Sequence, residues 1–139
     1  MSSSIPVRIE LRSIWDGEQT EHRYIGELYH KGAAIYVRYS ELDDEGAGET
    51  RTLVKLTEQE IKVTRRGQVE SEQLYVLHEQ RRGFYRTDLG TLPVVTHTSE
   101  LSLQRMDGVY TAAWTYSLHI AEESAGNFNL KLTIREERL

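Results

Sequence analysis

The chain has 139 residues, of which 28% are charged and 38% are hydrophobic, and its formal net charge is −5. This length favours one domain that buries a core of its own, and the acidic balance argues against nucleic acid as a partner because such binding depends on neutralising phosphates. The chain has no cysteine, which excludes disulfides, thiolate metal sites and cysteine nucleophiles and is compatible with a reducing cytoplasm.

Short runs of alternating apolar and polar residues fill the first half of the chain. Such alternation is typical of half-buried β-strands. Val7, Ile9 and Leu11 mark the first strand, and Asp16-Gly17 is a hairpin signal after it. Residues 43–49, which are rich in acids and glycine, are expected to form an exposed loop. The strands predicted in this half are 6–14, 21–30, 34–42, 50–57, 60–66 and 69–78.

The same alternation continues through the second half of the chain. Leu89-Gly90 and Asp107-Gly108 are turn signals, and residues 122–127 are expected to form an exposed loop. Pro93 falls within a predicted strand, where it would break a central ladder, so we expect it at an edge or a bulge. The strands predicted in this half are 84–87, 91–98, a weaker one at 101–103, 109–120 and 128–136.

The number and order of these strands predict the fold class. No segment shows helical periodicity over three turns, and consecutive strands joined by short turns favour an up-and-down meander. Such a sheet leaves two open edges unless it closes on itself. We therefore predict an all-β fold, a single antiparallel up-and-down barrel of about 8–10 strands that comprises residues 1–139 as one domain. A barrel of this size encloses side chains or one small ligand.

Arg65 is the residue whose predicted position is most informative. On its strand, Ile61, Val63 and Arg65 share one face, so Arg65 points into the barrel if the Ile/Val face does. An unpaired buried guanidinium is too unfavourable to keep. Arg65 therefore has two interpretations. It pairs with an internal acid, with Glu41 as the candidate, and plugs one end of the barrel, or it binds a carboxylate or phosphate ligand bidentately.

Hydroxyl groups share the predicted inward faces of two later strands. Thr96 and Thr98 alternate with Val94, and Tyr116 alternates with Trp114. A few polar groups beside apolar walls are typical of a small-ligand site. The alternative is that these hydroxyls satisfy each other or bound water in a filled core. The predicted ligand-binding residues are Arg65, Glu41, Tyr39, Thr96, Thr98 and Tyr116.

No pattern in the chain predicts a catalytic or metal site. The five histidines lack the spacing of a compact metal site, and His97 and His119 point away from the apolar face. The acids of residues 43–49 lack the alternating spacing of a calcium loop. A serine nucleophile elbow and a glycine-rich phosphate loop are both missing from the sequence. We predict no catalytic residues, no metal and no cofactor, and the enzyme alternative is a hydrolase or isomerase that uses Glu41 or His97.

Several short strings, taken in chain order, resemble one known family. They are Tyr36-x-x-Tyr39-x-Glu41, Arg65-x-Gly67, Tyr85 with Gly90-x-Leu92, Thr96-x-Thr98, Tyr116-x-x-His119 and Asn129. Together they cover nearly the whole chain and resemble the YwiB-like family, a bacterial domain of unknown function with a lipocalin-like (calycin) β-barrel. The resemblance implies a barrel that can hold an internal ligand, and it implies no particular reaction.

These observations lead to two predictions of function. The first is a non-enzymatic, soluble cytoplasmic barrel that binds a small anionic or amphipathic molecule, with Arg65 as the charged anchor. The second is a filled barrel that acts through its surface on a protein or nucleic-acid partner, for which the cluster Arg81, Arg82 and Arg86 is the support. We expect no signal peptide and no membrane partner, because the chain has no basic N-terminal start and no run of roughly 20 apolar residues.

Overall fold

The computed structural model describes residues 3–42 and 48–137 and shows ten strands within them. Each strand lies antiparallel to its neighbours, and neighbours in the barrel are neighbours along the chain. The strands are β1 (Ile5–Trp15), β2 (Glu18–Lys31), β3 (Ala34–Leu42), β4 (Glu49–Leu56), β5 (Glu60–Gly67), β6 (Glu70–Val76), β7 (Gln80–Thr87), β8 (Gly90–Met106), β9 (Val109–Ile120) and β10 (Glu123–Glu136).

Pairing between the first and last strands closes the barrel. The β1–β10 ladder runs from Val7 opposite Glu136 to Trp15 opposite Phe128. The prediction of a single antiparallel up-and-down barrel of about 8–10 strands is thereby confirmed. In the described part of the chain, no helix is long and apolar enough to cross a membrane.

The barrel interior changes from apolar to polar along its length. At the end where β3 begins and β4 ends, the interior is filled by fully buried aliphatic residues, among them Val7, Leu28, Val37, Leu56, Ile61 and Ile134. Burial of each such side chain contributes about 1.5–3 kcal/mol to folding. Toward the opposite end, the inward positions of β3 to β6 carry hydroxyl, carboxylate and guanidinium groups, so the polar chemistry of the interior lies at one end.

Strand β8 is longer than the sequence predicts, because a bulge joins two segments that we expected to be separate. The register against β9 shifts between Thr98 and Glu100. Val94, Thr96 and Thr98 point inward before the bulge. One extra residue reverses the alternation, so the inward face after the bulge is carried by Leu101 and Leu103, which pack against the core. The prediction of a separate strand at 101–103 is therefore wrong.

The prediction of an exposed loop at 122–127 is also wrong. The turn is confined to Ala121 and Glu122, both of which have positive φ angles, and β10 begins at Glu123. A second bulge, between Ser124 and Gly126, accommodates the polar sequence in the ladder. Of the loop predicted at 43–49, residues 43–47 lie outside the described residues and Glu49 begins β4.

Pro93 lies in β8, opposite Phe84 of β7 and at the end of the β8–β9 ladder. Its carbonyl oxygen accepts a hydrogen bond from the N–H of Ala121, 2.9 Å away, just beyond the last β8–β9 pair of Val94 and Ile120. Proline has no N–H, so it accepts a hydrogen bond at this position and donates none.

Strands β6 and β7 pair over only three residues before they separate. Their ladder ends at Glu72 opposite Phe84. Gly83 passes so close to the carbonyl oxygen of Glu72 that a Cβ atom would overlap it. Beyond this point the end of β6 lies against β8, where the Thr96 hydroxyl donates a hydrogen bond of 2.6 Å to the Leu74 carbonyl. Strand β6 therefore pairs with β7 over its first residues and contacts β8 at its end.

Candidate functional site

Arg65 and Glu41 form an ion pair inside the polar end of the barrel. Arg65 lies on β5, on the inward face with Ile61 and Val63, and its Nε atom is 3.3 Å from Oε2 of Glu41 on β3. The two side chains are 34% and 22% exposed, so the pair is screened from water on most sides while one side remains open. This contact is the one that the plug interpretation of Arg65 predicts.

Glu41 is held by more than the arginine. The Tyr24 hydroxyl donates a hydrogen bond of 3.2 Å to Oε1, and the Thr52 hydroxyl donates one of 2.6 Å to Oε2. Both carboxylate oxygens therefore have a hydroxyl donor without any contribution from Arg65. The Arg65 Nε–H forms no hydrogen bond with a described residue, although it is sealed from solvent.

The outer part of the Arg65 guanidinium remains available. The Nε atom is buried, so the 34% exposure of the Arg65 side chain comes from its other atoms. No hydrogen bond joins the two Nη atoms to a residue in the described ranges 3–42 and 48–137. A guanidinium has five N–H donors, and those on the Nη atoms form a fork that fits a carboxylate or phosphate. Arg65 can thus hold Glu41 and an external anion at the same time.

The register of the sheet places Arg65 in one row of inward-facing side chains. Tyr39 on β3 lies opposite Thr52 on β4, and Thr52 lies opposite Arg65. On the other side, Arg65 lies opposite Ser71, and Ser71 lies opposite Tyr85 on β7. Directly opposed residues on neighbouring strands point to the same side of a sheet. Five consecutive strands therefore present one ring of polar groups to the interior.

A cavity of about 220 Å³ lies beside this row. Its polar lining consists of Arg65, Ser71 and Gln73. Its aliphatic lining consists of Leu11, Val54, Val63, Leu130 and Leu132. Its aromatic lining consists of Tyr39, Tyr75, Tyr85, Trp114 and Tyr116. Apolar walls with a few converging polar groups are the usual composition of a small-molecule site.

The aromatic side chains at this end are packed against one another. The rings of Tyr24 and Tyr39 stack with centroids 4.4 Å apart, and those of Tyr75 and Tyr116 are tilted with centroids 4.5 Å apart. Tyr116 also stacks on Phe128, with centroids 5.3 Å apart. Such contacts fix ring orientation beyond what burial alone provides. The aromatic wall is therefore a rigid surface.

The tyrosines of the site remain neutral donors at physiological pH. Burial raises the pKa of the hydroxyls of Tyr39, Tyr75 and Tyr116. Burial and the neighbouring Glu41 carboxylate raise the pKa of Tyr24 to about 12. In both cases the charged phenolate is disfavoured. The site therefore presents hydroxyl groups and a cation, with no tyrosine prepared to act as a base.

This tyrosine chemistry predicts a loss of stability at alkaline pH. The pKa of Tyr24 is about 12 in the folded protein and has its ordinary value of 10.0 in the unfolded chain, so the folded state binds the proton more tightly. The stabilisation is complete below the unfolded pKa and is lost as the pH rises through the folded one. We expect the free energy of unfolding, measured by urea denaturation, to fall between about pH 10 and pH 12.

The variant Tyr24→Phe isolates the contribution of this hydroxyl. It is expected to make the alkaline fall in stability shallower than in the unmodified protein. Tyr29→Phe is the matched control, because Tyr29 lies on the outer face, where it stacks on Tyr36. Equal slopes for Tyr24→Phe and the unmodified protein would contradict the assignment.

Thr96 and Thr98 lie apart from this cavity. Both are buried on the inward face of β8, as the alternation predicts, and neither lines the cavity. The Thr96 hydroxyl is bonded to the Leu74 carbonyl, whereas the Thr98 hydroxyl is buried without a hydrogen-bond partner among the described residues. The structure thus brings four of the six predicted residues together, Arg65, Glu41, Tyr39 and Tyr116.

The two threonines provide a matched test of this difference. Thr96→Val removes a satisfied donor and is expected to lower the free energy of unfolding by about 1 kcal/mol. Thr98→Val removes a buried, unsatisfied hydroxyl of the same size and is expected to raise it by about 1 kcal/mol. Urea denaturation of both variants measures the two effects. Destabilisation of similar size in both would show that the Thr98 hydroxyl has a partner.

Several residues of the site are missing from the sequence predictions. Tyr24 and Thr52 hold Glu41, and Ser71, Gln73 and Tyr75 complete the wall between Arg65 and the aromatic residues. Alternation within β4 and β6 assigns Thr52, Ser71, Gln73 and Tyr75 to the inward faces. The sequence carries no signal for which inward residues lie at the same level, because that depends on the stagger between strands.

The arginine cluster predicted on the surface is divided by the alternation of β7. Arg81 lies opposite the inward-facing Thr96, whereas Arg82 and Arg86 lie on the outer face. Arg81 pairs with Glu79 at 2.6 Å, and Arg86 pairs with Glu70 at 3.6 Å. The three arginines therefore do not form one continuous patch. Within the described residues, no group of three or more His, Asp or Glu side chains has the geometry of a metal site.

Comparison with known sequences places the chain in a family. Residues 5–132 match the profile of a family described as "Domain of unknown function (DUF1934)". The chain belongs to the DUF1934 family. A relative of this DUF1934 chain is the "Uncharacterized beta-barrel protein YwiB" of Bacillus subtilis (strain 168), which is 27% identical over 137 residues, covering 96% of this chain and 95% of that protein. The predicted resemblance to the YwiB-like family is confirmed.

A solved structure supports the fold of this DUF1934 member. The crystal structure of the YwiB protein from Bacillus subtilis aligns with a TM-score of 0.79 and 24% sequence identity, and the alignment covers 99% of this chain and 94% of the YwiB chain. At this identity the similarity concerns the fold. The DUF1934 description and the YwiB name assign no ligand and no reaction.

Proposed function

We propose that this DUF1934 protein is a binding protein that takes up one small anionic or amphipathic molecule at the polar end of its barrel. The observation that carries the proposal is the position of Arg65, a partly exposed cation that lines a cavity of about 220 Å³ and whose contact with Glu41 is made at Nε. A cation in a half-enclosed, largely apolar cavity attracts an anion more strongly than one in bulk water. Arg65 is the anchor, and the apolar walls bind the uncharged part of the ligand.

The Arg65–Glu41 pair is compatible with this role. Because the Tyr24 and Thr52 hydroxyls hold Glu41 independently, its carboxylate stays satisfied when Arg65 also contacts a ligand. Glu41 approaches the guanidinium at Nε, with Oε2 3.3 Å away. Tyr39 and Tyr116 contribute cavity wall on two sides of the anchor. Arg65 then has two roles: it pairs with Glu41 at the end of the barrel, and it binds the ligand.

Native mass spectrometry of the purified protein tests the proposal. The expected result is a retained small anion whose adduct disappears in Arg65→Met and persists in Arg66→Met. Arg66 is the matched control because it is the next residue of β5 and is exposed. If no adduct is retained, added small carboxylates are titrated by calorimetry. Absence of binding in both experiments, or equal binding by Arg65→Met, would overturn the proposal and favour a role for the protein surface.

A further inference from the structure

Resting on the proposed binding function, we infer that the ligand class is a carboxylate attached to a single planar aromatic ring. The inference depends on three features of the cavity: its volume, the shape of its walls and the position of its donors. Each limits the ligand further than charge alone.

The volume limits the ligand to about one ring. An apolar cavity of about 150 Å³ in a protein interior accommodates benzene. The cavity beside Arg65, at about 220 Å³, therefore has room for such a ring with one small charged substituent. Fused ring systems and dinucleotides exceed it, since drug-sized ligands occupy pockets of roughly 300–1,000 Å³.

The walls favour a flat ligand. Tyr75, Trp114 and Tyr116 line one side as a connected aromatic group, with Tyr75 centred 5.8 Å from Trp114 and 4.5 Å from Tyr116. Tyr39 and Tyr85, at the two ends of the row that contains Arg65, also line the cavity. Aromatic rings prefer offset-stacked or edge-to-face contacts with other rings. A planar aromatic ring can stack on these side chains or meet them edge to face. A saturated ring of the same size has axial hydrogens that prevent such stacking.

The donors of the cavity favour a carboxylate. The two Nη groups of Arg65 can donate parallel hydrogen bonds to the two oxygens of a carboxylate that lies in the plane of the guanidinium. Ser71, directly opposite Arg65 in the sheet, places a hydroxyl in the same lining. Trp114 is only 3% exposed, and its indole N–H has no hydrogen-bond partner among the described residues. Buried donors of this kind are unfavourable unless an acceptor meets them, and a polar ring substituent on the ligand supplies one.

Calorimetric titration with three probes of equal heavy-atom number tests the inference. The probes are benzoate, cyclohexanecarboxylate and benzamide, which share a size but differ in planarity or charge. Benzoate is expected to bind most tightly. Cyclohexanecarboxylate is expected to bind about fivefold more weakly because it loses aromatic contacts. Benzamide is expected to bind at least about tenfold more weakly because it loses the charge-assisted hydrogen bonds.

Variants of the anchor complete the experiment. Arg65→Met is expected to abolish benzoate binding, and Arg66→Met to leave it unchanged. Arg65→Lys keeps the positive charge but removes the bidentate pair of donors, and it is expected to weaken benzoate binding at least about tenfold. This variant replaces Arg65→Met in the experiment if Arg65→Met fails to fold. Glu41→Gln is expected to strengthen benzoate binding because it removes the competing charge, while its amide oxygen accepts a hydrogen bond from one of the Tyr24 and Thr52 hydroxyls and its NH2 group donates one to the other.

The outcomes separate this inference from the proposed function. Arg65-dependent binding in which cyclohexanecarboxylate equals or exceeds benzoate would overturn the aromatic class and leave the anion-binding function standing. Failure of all three probes and of hexanoate, or benzoate binding by Arg65→Met that equals binding by the unmodified protein, would overturn both. Tighter binding of benzamide than of benzoate would overturn the role of the carboxylate.

Discussion

Replacing Gly83 with alanine is expected to lower the free energy of unfolding by about 3 kcal/mol, the largest single effect that we predict. A Cβ atom at this position would overlap the Glu72 carbonyl oxygen and lie 3.3 Å from a methyl group of Val94. The carbonyl belongs to the backbone of β6 and cannot rotate away as a side chain would. The strands must separate, and the ladder that carries Ser71 and Tyr85 is disturbed.

Gly32→Ala is the control for the Gly83 variant. Gly32 has no atom within 4 Å of an added Cβ, so its substitution is strained only through its φ of +61°. That strain amounts to about 1–2 kcal/mol for a non-glycine residue. Urea denaturation measures both variants. A loss for Gly83→Ala no larger than that for Gly32→Ala would show that β6 and β7 can separate without penalty.

Replacing Arg65 with methionine is expected to lower the free energy of unfolding by about 2 kcal/mol, between the values for exposed and fully buried ion pairs. The intermediate value follows from the partial exposure of both side chains. Glu41 retains its two hydroxyl donors in this variant, which limits the loss. Arg66→Met, at an exposed position, is expected to change stability by less than about 0.5 kcal/mol.

A double-mutant cycle measures the pairing itself. Arg65→Met combined with Glu41→Gln is expected to be more stable than the sum of the single effects predicts, by about 1 kcal/mol, because the substituted amide carries no charge that needs Arg65. Denaturant unfolding of the single and double variants gives this coupling. Additive effects, or a change below about 0.5 kcal/mol for Arg65→Met alone, would show that the pair is not a plug.

The fold was predictable because the alternation of apolar and polar residues is a local property of each strand. Runs such as Val7/Ile9/Leu11 and Trp114/Tyr116/Leu118 turn one apolar face to the core, and this requires an extended strand. Bulges have no such local signal. The extra residue near Ser99 changes which side chains of β8 point inward, and the Ala121–Glu122 turn lacks the glycine that marks other hairpins. The polar sequence of residues 122–127 therefore indicates a loop where the chain forms a strand.

The site was predictable only in part, for a related reason. The inward direction of Arg65 follows from its own strand, and Glu41 was the acid expected to meet it. Which other inward residues join them depends on the stagger between strands, which is a property of the closed barrel. Thr96 and Thr98 share the inward direction but do not line the cavity, and the Thr96 hydroxyl is bonded to Leu74, whereas Tyr24 lies beside Glu41.

The pairing of β1 with β10 has a consequence for synthesis on the ribosome. Val7 finds its partner Glu136 only after all the strands between them have been made. Until then, β1 and the growing sheet present unpaired edges and an apolar face, which are the features that promote aggregation. Contacts between residues so distant in sequence also slow folding. Nascent chains that stall before β10 are therefore expected to need chaperones, and the cavity forms only once β10 has been made, because Leu130 and Leu132 line it.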